Sequence, residues 1–264
     1  MATNPFIQYG IKEVADVIVY DITTTLPVMY FDTLKVSSIE QTAEQTDARG
    51  GKGNPKLISW DYGKEITLTL QDALLSMKSL ALLMNDADSA YNNDYYSVSK
   101  KIKKAEVVVL DAAKEFNLKY TPVATTGVFV LGYATAATTG TVKQFKQTFA
   151  DASTVARVAY EVYTSTGGKG AYEIVITPEK FPGTYTFVGD TVIRNKISGV
   201  DEGFQFIIPK AKIGSEVTLT MEAEGDPTVF DMTITVLKAD NGTMMSLVKY
   251  DIGTATSSVS SNLS

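Results

Sequence analysis

The residues able to do chemistry in this 264-residue chain are carboxylates, hydroxyls and lysines, because histidine and cysteine are both absent. That absence removes Ser/His/Asp and Cys/His nucleophile systems, ordinary zinc sites, haem ligation by histidine and disulfides. Carboxylate chemistry stays open with 30 Asp and Glu, but a working pair is defined by its spacing in three dimensions, which no linear pattern selects. Gly-Gly-Lys-Gly occurs at Gly50 to Gly53 and again at Gly167 to Gly170. A phosphate-cradling loop needs Lys followed by Ser or Thr and then a helix. Here Lys52 precedes Gly53 and Asn54, and Lys169 precedes Gly170 and Ala171, so both copies read as turns. Asp86, Asp88, Asn92 and Asp94 have the look of a calcium loop, yet its fifth and sixth positions would be Ala90 and Tyr91 instead of an oxygen ligand and glycine. That stretch reads as a polar loop. No catalytic constellation emerges, no metal or cofactor is called for, and the chain is expected not to be an enzyme.

The elements are therefore read for what they present. Lys64 to Leu70 alternates Ile66, Leu68 and Leu70 with Thr67 and Thr69, the period of a half-buried strand. From Gln71 the period changes. Ala73, Leu74, Met77, Leu80, Ala81 and Met84 fall on one helical face, with Asp72 in the first turn, and Leu75, Leu82 and Leu83 widen the stripe. So apolar a helix must be covered on more than one side, by its own chain or by a neighbouring subunit, which makes Leu75, Leu82 and Leu83 candidate inter-subunit residues.

Before that strand, Gln41 to Lys56 is polar apart from Ala43 and Ala48, longer than an ordinary loop. It reads as a hairpin arm joining two strands. Its glycine-rich tip (Asp47, Arg49, Gly50, Gly51, Lys52, Gly53, Asn54 and Lys56) is a candidate inter-subunit contact, mobile in a free subunit.

Further strands are expected at Val14 to Tyr20, around Val28 to Phe31, at Ala105 to Leu110 and at Val128 to Tyr133. From Arg157 onward they recur at Arg157 to Tyr163, Ala171 to Thr177, Thr184 to Arg194, Gly203 to Ile208 and Glu216 to Leu237, the cadence of an antiparallel sandwich or barrel. The last forms a hairpin around Glu224 to Thr228. One face holds Val217, Leu219, Met221, Phe230, Met232, Ile234 and Val236, and the other holds Glu216, Thr218, Thr220, Glu222, Asp231, Thr233 and Thr235. The second face reads either as a solvated sheet surface or as a lumen wall past which DNA slides, since like charge gives no counterion-release binding. The chain divides into 1–85, a middle segment 86–199 with the character of an insertion, 200–240 and a Ser/Thr-rich extension 241–264. A net charge of −6 argues against gripping nucleic acid, the N-terminus shows no secretory pattern, and the sequence has no stretch of 18 apolar residues that could span a membrane.

Trp60-Asp-Tyr-Gly-Lys-Glu-Ile-Thr-Leu-Thr-Leu-Gln-Asp-Ala-Leu74 after the glycine-rich arm, with Phe204-Gln-Phe-Ile-Ile-Pro-Lys-Ala-Lys-Ile213 before the Glu-Gly-Asp-Pro hairpin, resembles the tail tube subunits of tailed bacteriophages. The two stretches cover about a quarter of the chain. The resemblance implies a mainly β protein, an antiparallel sandwich or barrel with one flanking helix and a long hairpin arm. It further implies hexameric rings stacked into a tube for DNA ejection, located in the virion tail and assembled in the host cytoplasm. The implied partners are copies of the chain itself, with tail sheath, baseplate or terminator proteins as further candidates, DNA in passage, and no membrane anchor. The competing reading is a surface β-sandwich that recognises carbohydrate or protein, favoured by 14 tyrosines and many strands.

Overall fold

A computed structural model describes residues 7–11, 13–74, 76–84, 97–98, 100–133, 137–139, 143–147, 155–164, 171–216 and 229–252. The chain divides into two compact units, Met1–Tyr95 with Ile174–Ser264, and Tyr96–Glu173. In chain order the first unit supplies β1 (Tyr9–Ile11), β2 (Asp16–Asp21), β3 (Pro27–Phe31), β4 (Leu34–Arg49), β5 (Lys56–Asp72) and the helix α1 (Met77–Met84). The second supplies β6 (Ser97–Val98), β7 (Lys101–Val109), β8 (Glu115–Asn117), β9 (Phe129–Val130), β10 (Thr138–Thr139), β11 (Gln144–Lys146), β12 (Val155–Tyr163) and β13 (Ala171–Tyr172). The chain then returns to the first unit with β14 (Thr184–Asn195), β15 (Asp201–Ile213), β16 (Phe230–Val236) and β17 (Ser246–Tyr250).

In the first unit one antiparallel path runs β3-β2-β14-β15-β16-β5-β4, with β1 paired to β14 and β17 to β15. The path is open, so the unit is sandwich-like and not a closed barrel. Alternation places Val17 and Val19 of β2, Ile66, Leu68 and Leu70 of β5, and Phe230, Met232, Ile234 and Val236 of β16 on the inside. With Tyr185, Phe187, Phe206 and Ile208 they make one core, the period-2 pattern acting as the register device. Two approaches between strands are closed by aromatic rings over glycine. Phe206 lies directly across from Gly189 and Tyr250 across from Gly203, and a Cβ on either glycine would sit 2.0 Å or 2.3 Å from the opposing ring.

The helix is shorter than its periodicity suggests. β5 continues through Asp72, whose carboxylate accepts hydrogen bonds from the Thr33 hydroxyl and the Leu74 amide (3.2 Å). Asp72 is thereby the buried end of a strand, not the first turn of a helix. Ser76 is the true cap. Its hydroxyl accepts from the Ser79 amide at 2.9 Å, and the Ser79 hydroxyl accepts in return from the Ser76 amide at 3.1 Å, a capping box with serine in place of the usual Glu. Leu82 and Leu83, expected at a subunit boundary, are 1% and 2% exposed and belong to the core of their own unit. Leu75 lies outside the described residues.

The second unit has its own core around Leu110, Phe116, Val128, Phe145, Val158 and Tyr160. Its three-stranded sheets run β7-β12-β9 and β10-β11-β8, and β13 pairs with β6. Phe116 and Phe145 stack at 6.2 Å. Burial, reinforced by its hydrogen bond to Glu106 (3.0 Å), pushes the Tyr160 hydroxyl up to about 12.

Candidate assembly site

The long polar arm is a continuous two-stranded ribbon. β4 and β5 pair from Leu34–Asp72 out to Arg49–Lys56, so only residues 50–55 form the turn. β16 borders β5 from Thr67 to Asp72 alone, and beyond Ile66 the ribbon has no described sheet neighbour on either edge. Residues 56–65 of β5 are all exposed. The turn is made by Gly51 and Gly53 at φ +85° and +86° and Asn54 at φ +49°, the left-handed conformations these residue types admit. That accounts for the first Gly-Gly-Lys-Gly as a hairpin turn. The second copy and the Asp86 to Asp94 stretch lie outside the described residues.

The ribbon has two different faces, and a bulge decides which is which. Thr42 pairs with Glu65 but Glu44 pairs with Tyr62, so Gly63 and Lys64 together oppose Ala43, with Gly63 at φ +62°. The extra residue turns the even-numbered side chains of β5 over. Ile66, Leu68 and Leu70 face the core, whereas Tyr62, Trp60 and Ile58 share the opposite face with Glu44, Thr46 and Ala48. Ile58, Trp60 and Tyr62 are 53%, 52% and 52% exposed. The other face carries a polar cluster beside the exposed Leu57. Asp47 accepts from Ser59 Oγ at 2.8 Å and meets Lys56 Nζ at 3.0 Å and Arg49 Nη2 at 3.3 Å. The bond from Lys56, then that from Ser59, holds the Asp47 carboxyl below the ordinary aspartate value. Asp47, Arg49 and Lys56 thus come together as one cluster behind the turn formed by Gly50, Gly51, Lys52, Gly53 and Asn54.

Sequence alternation alone does not mark this aromatic face as exposed. The alternation of Ile58, Trp60 and Tyr62 was the available signal, hidden because it is in phase with the core-facing residues that follow.

Asp231, Thr233 and Thr235 are exposed on one face of β16. Across the ladder stand Gln71, Thr69 and Thr67 of β5, and beyond Thr69 and Thr67 stand Ser38 and Glu40 of β4. The hydroxyl-rich face therefore spans three strands. β15 adds an exposed Lys212 directly opposite Thr235, a cation that the hairpin alone does not contain. Glu216 is exposed beyond the end of β15, and Thr218, Thr220 and Glu222 lie outside the described residues. Among the described residues no three acidic side chains converge in a metal-holding group, and no helix is long and apolar enough to cross a membrane.

No curated protein matches the chain. The model of the YomU/Tube protein family matches residues 9–248, a span that begins with β1, takes in the whole ribbon and ends within β17. With that span matched, the chain belongs to the YomU/Tube protein family, in agreement with the likeness to phage tail tube subunits carried by Trp60 to Leu74 and Phe204 to Ile213.

Proposed function

We propose that the chain is the repeating subunit of a phage tail tube, forming stacked hexameric rings around a conduit through which DNA leaves the particle. The observation that carries this reading is the ribbon, a two-stranded hairpin with an exposed Ile58, Trp60 and Tyr62 face; such a hairpin is marginal alone in water, and a partner surface would stabilise it. Charge supports the conduit. Ten of the 24 basic and six of the 30 acidic residues fall in the second unit, leaving 14 and 24 in the first, a net −10 against +4. A strongly acidic first unit with a Thr, Ser and Asp sheet face suits passage of a polyanion without retention. Ends of such a tube would meet other tail proteins, with sheath, baseplate or terminator proteins as the candidates.

Electron microscopy of purified protein over a concentration series tests the proposal. Rings or tubes of uniform bore are the expected result. A chain that stays monomeric at high concentration, with its ribbon protected from proteases, would refute it and favour a surface module that binds carbohydrate or protein.

A further inference from the structure

Beside the C-terminal end of α1 the first unit carries an apolar groove of about 380 Å³, lined by Leu83, Met84, Ile176, Pro178, Phe181 and Pro182. One wall comes from residues 176–182, which begin in the β-branched run Ala171 to Thr177 that reads as strand. The strand stops at Tyr172, and the irregular chain that follows holds Ile176 and Phe181 at 65% and 59% exposure. Such exposure of two large side chains around a groove is the sign of a contact surface. The apolar ribbon face belongs to the same unit, and Trp60 is half exposed there, so the ribbon does not fill its own chain's groove.

A projecting apolar surface at one place and an apolar recess at another suit a head-to-tail contact, which makes a ring where its rotation closes, in contrast to a self-complementary patch, which stops at a dimer. Charge agrees. Glu44 lies directly across from Tyr62 on the aromatic face and Glu65 just beyond it, while Lys180 lines the groove. We infer that the Ile58, Trp60 and Tyr62 face of one copy's ribbon seats in the groove between α1 and the 176–182 segment of the next copy. This rests on the ring-forming reading and names the two surfaces that would meet.

Trp60 is the chain's single tryptophan, so its fluorescence reports this contact without labelling. On ring formation, scored independently by microscopy, its emission should move to shorter wavelength. Phe181→Asp should abolish the shift and raise the concentration needed for assembly by about tenfold or more, as loss of an interface anchor does. Ile176→Asp should do the same, and both variants should melt like the parent because the side chains are exposed. In the cysteine-free chain, Tyr62→Cys with Ile176→Cys should give inter-subunit crosslinks in rings. Rings whose Trp60 emission equals that of the free subunit, or which form normally with Phe181→Asp, would overturn the inference, assign the groove another occupant and leave the tube reading standing. Absence of rings at every concentration would overturn both.

Discussion

Trp60→Ala should weaken assembly and leave folding intact. Trp60 is 52% exposed and its ladder partner is Thr46, out on the ribbon and away from the core that begins at Ile66. A large aromatic side chain buries roughly 150–250 Å², so about 100 Å² of Trp60 is left to be covered by a partner. At about 25 cal/mol per Å² that is about 2.5 kcal/mol for each contact. With about 1.4 kcal/mol per tenfold, the concentration at which subunits assemble should rise by about 60-fold. Folding should be indifferent, since exposed substitutions away from special features change stability by about 0.5 kcal/mol or less. Sedimentation velocity over a concentration series reads the first quantity and a thermal melt the second. An unchanged assembly threshold would refute the argument. So would a melting temperature lowered by about 5 °C or more, because for a unit of this size about 2–4 °C corresponds to 1 kcal/mol and such a loss would place Trp60 in the fold itself.

Four further outcomes follow from the geometry. Gly189→Ala places a Cβ 2.0 Å from Cζ of the buried Phe206, so the unit should lose about 1–3 kcal/mol by overpacking, with partial recovery in the double variant with Phe206→Leu; a parental melting curve for Gly189→Ala would be the contrary result. Glu202 is held below its ordinary value first by its ion pair with Lys249 and then by Asn195, so its contribution is complete above the unfolded carboxylate value of about 4.3 and disappears as pH falls through the lower folded value. Glu202→Gln should therefore flatten part of the acid-side loss in melts taken between about pH 3 and 7, and superimposable profiles would remove the ion pair from the account. Deleting residues 45–54 should leave the cores folded and block stacking, which polymers of normal length would contradict. Thr233→Lys with Thr235→Lys should slow DNA release in a salt-dependent way if the β16 face lines the bore, and release at the parental rate would place that face elsewhere.

Much of the fold is written in period-2 alternation. Phe230, Met232, Ile234 and Val236 enter the core as their spacing requires, and so do Ile66, Leu68 and Leu70. The same letters mislead where two structures are compatible with one pattern. Gln71 to Met84 satisfies a helical period throughout, yet the ladder from Phe230 to Asp72 and the Thr33 bond hold its first residues in strand, and a local serine box starts the helix at Met77. A cap three residues from its partner is a legible signal, and Ser76 with Ser79 outranks the dipole argument made for Asp72. The apolar excess of that helix was legible too, but its destination was not. Apolar surface demands cover without naming the source, and here Leu82 and Leu83 are covered by their own unit.

The ribbon shows the other kind of limit. Its existence follows from a polar stretch too long for a loop, but the assignment of its faces depends on Gly63, one residue inserted into β5 opposite Ala43. Read as an unbroken strand, Ile58, Trp60 and Tyr62 continue the core-facing series and look like more interior. With the bulge they lie on the same side of the sheet as Thr67 and Thr69, facing outward, which converts three apparent core residues into exposed ones. Adjacent glycine and lysine in a strand are weak evidence of a bulge in one sequence, whereas in the ladder the shift between Thr42 and Glu44 is unambiguous. On the proposed reading, assembly would rest on a local irregularity: the fold's alternation builds the core, and a single departure from it turns the aromatic face outward.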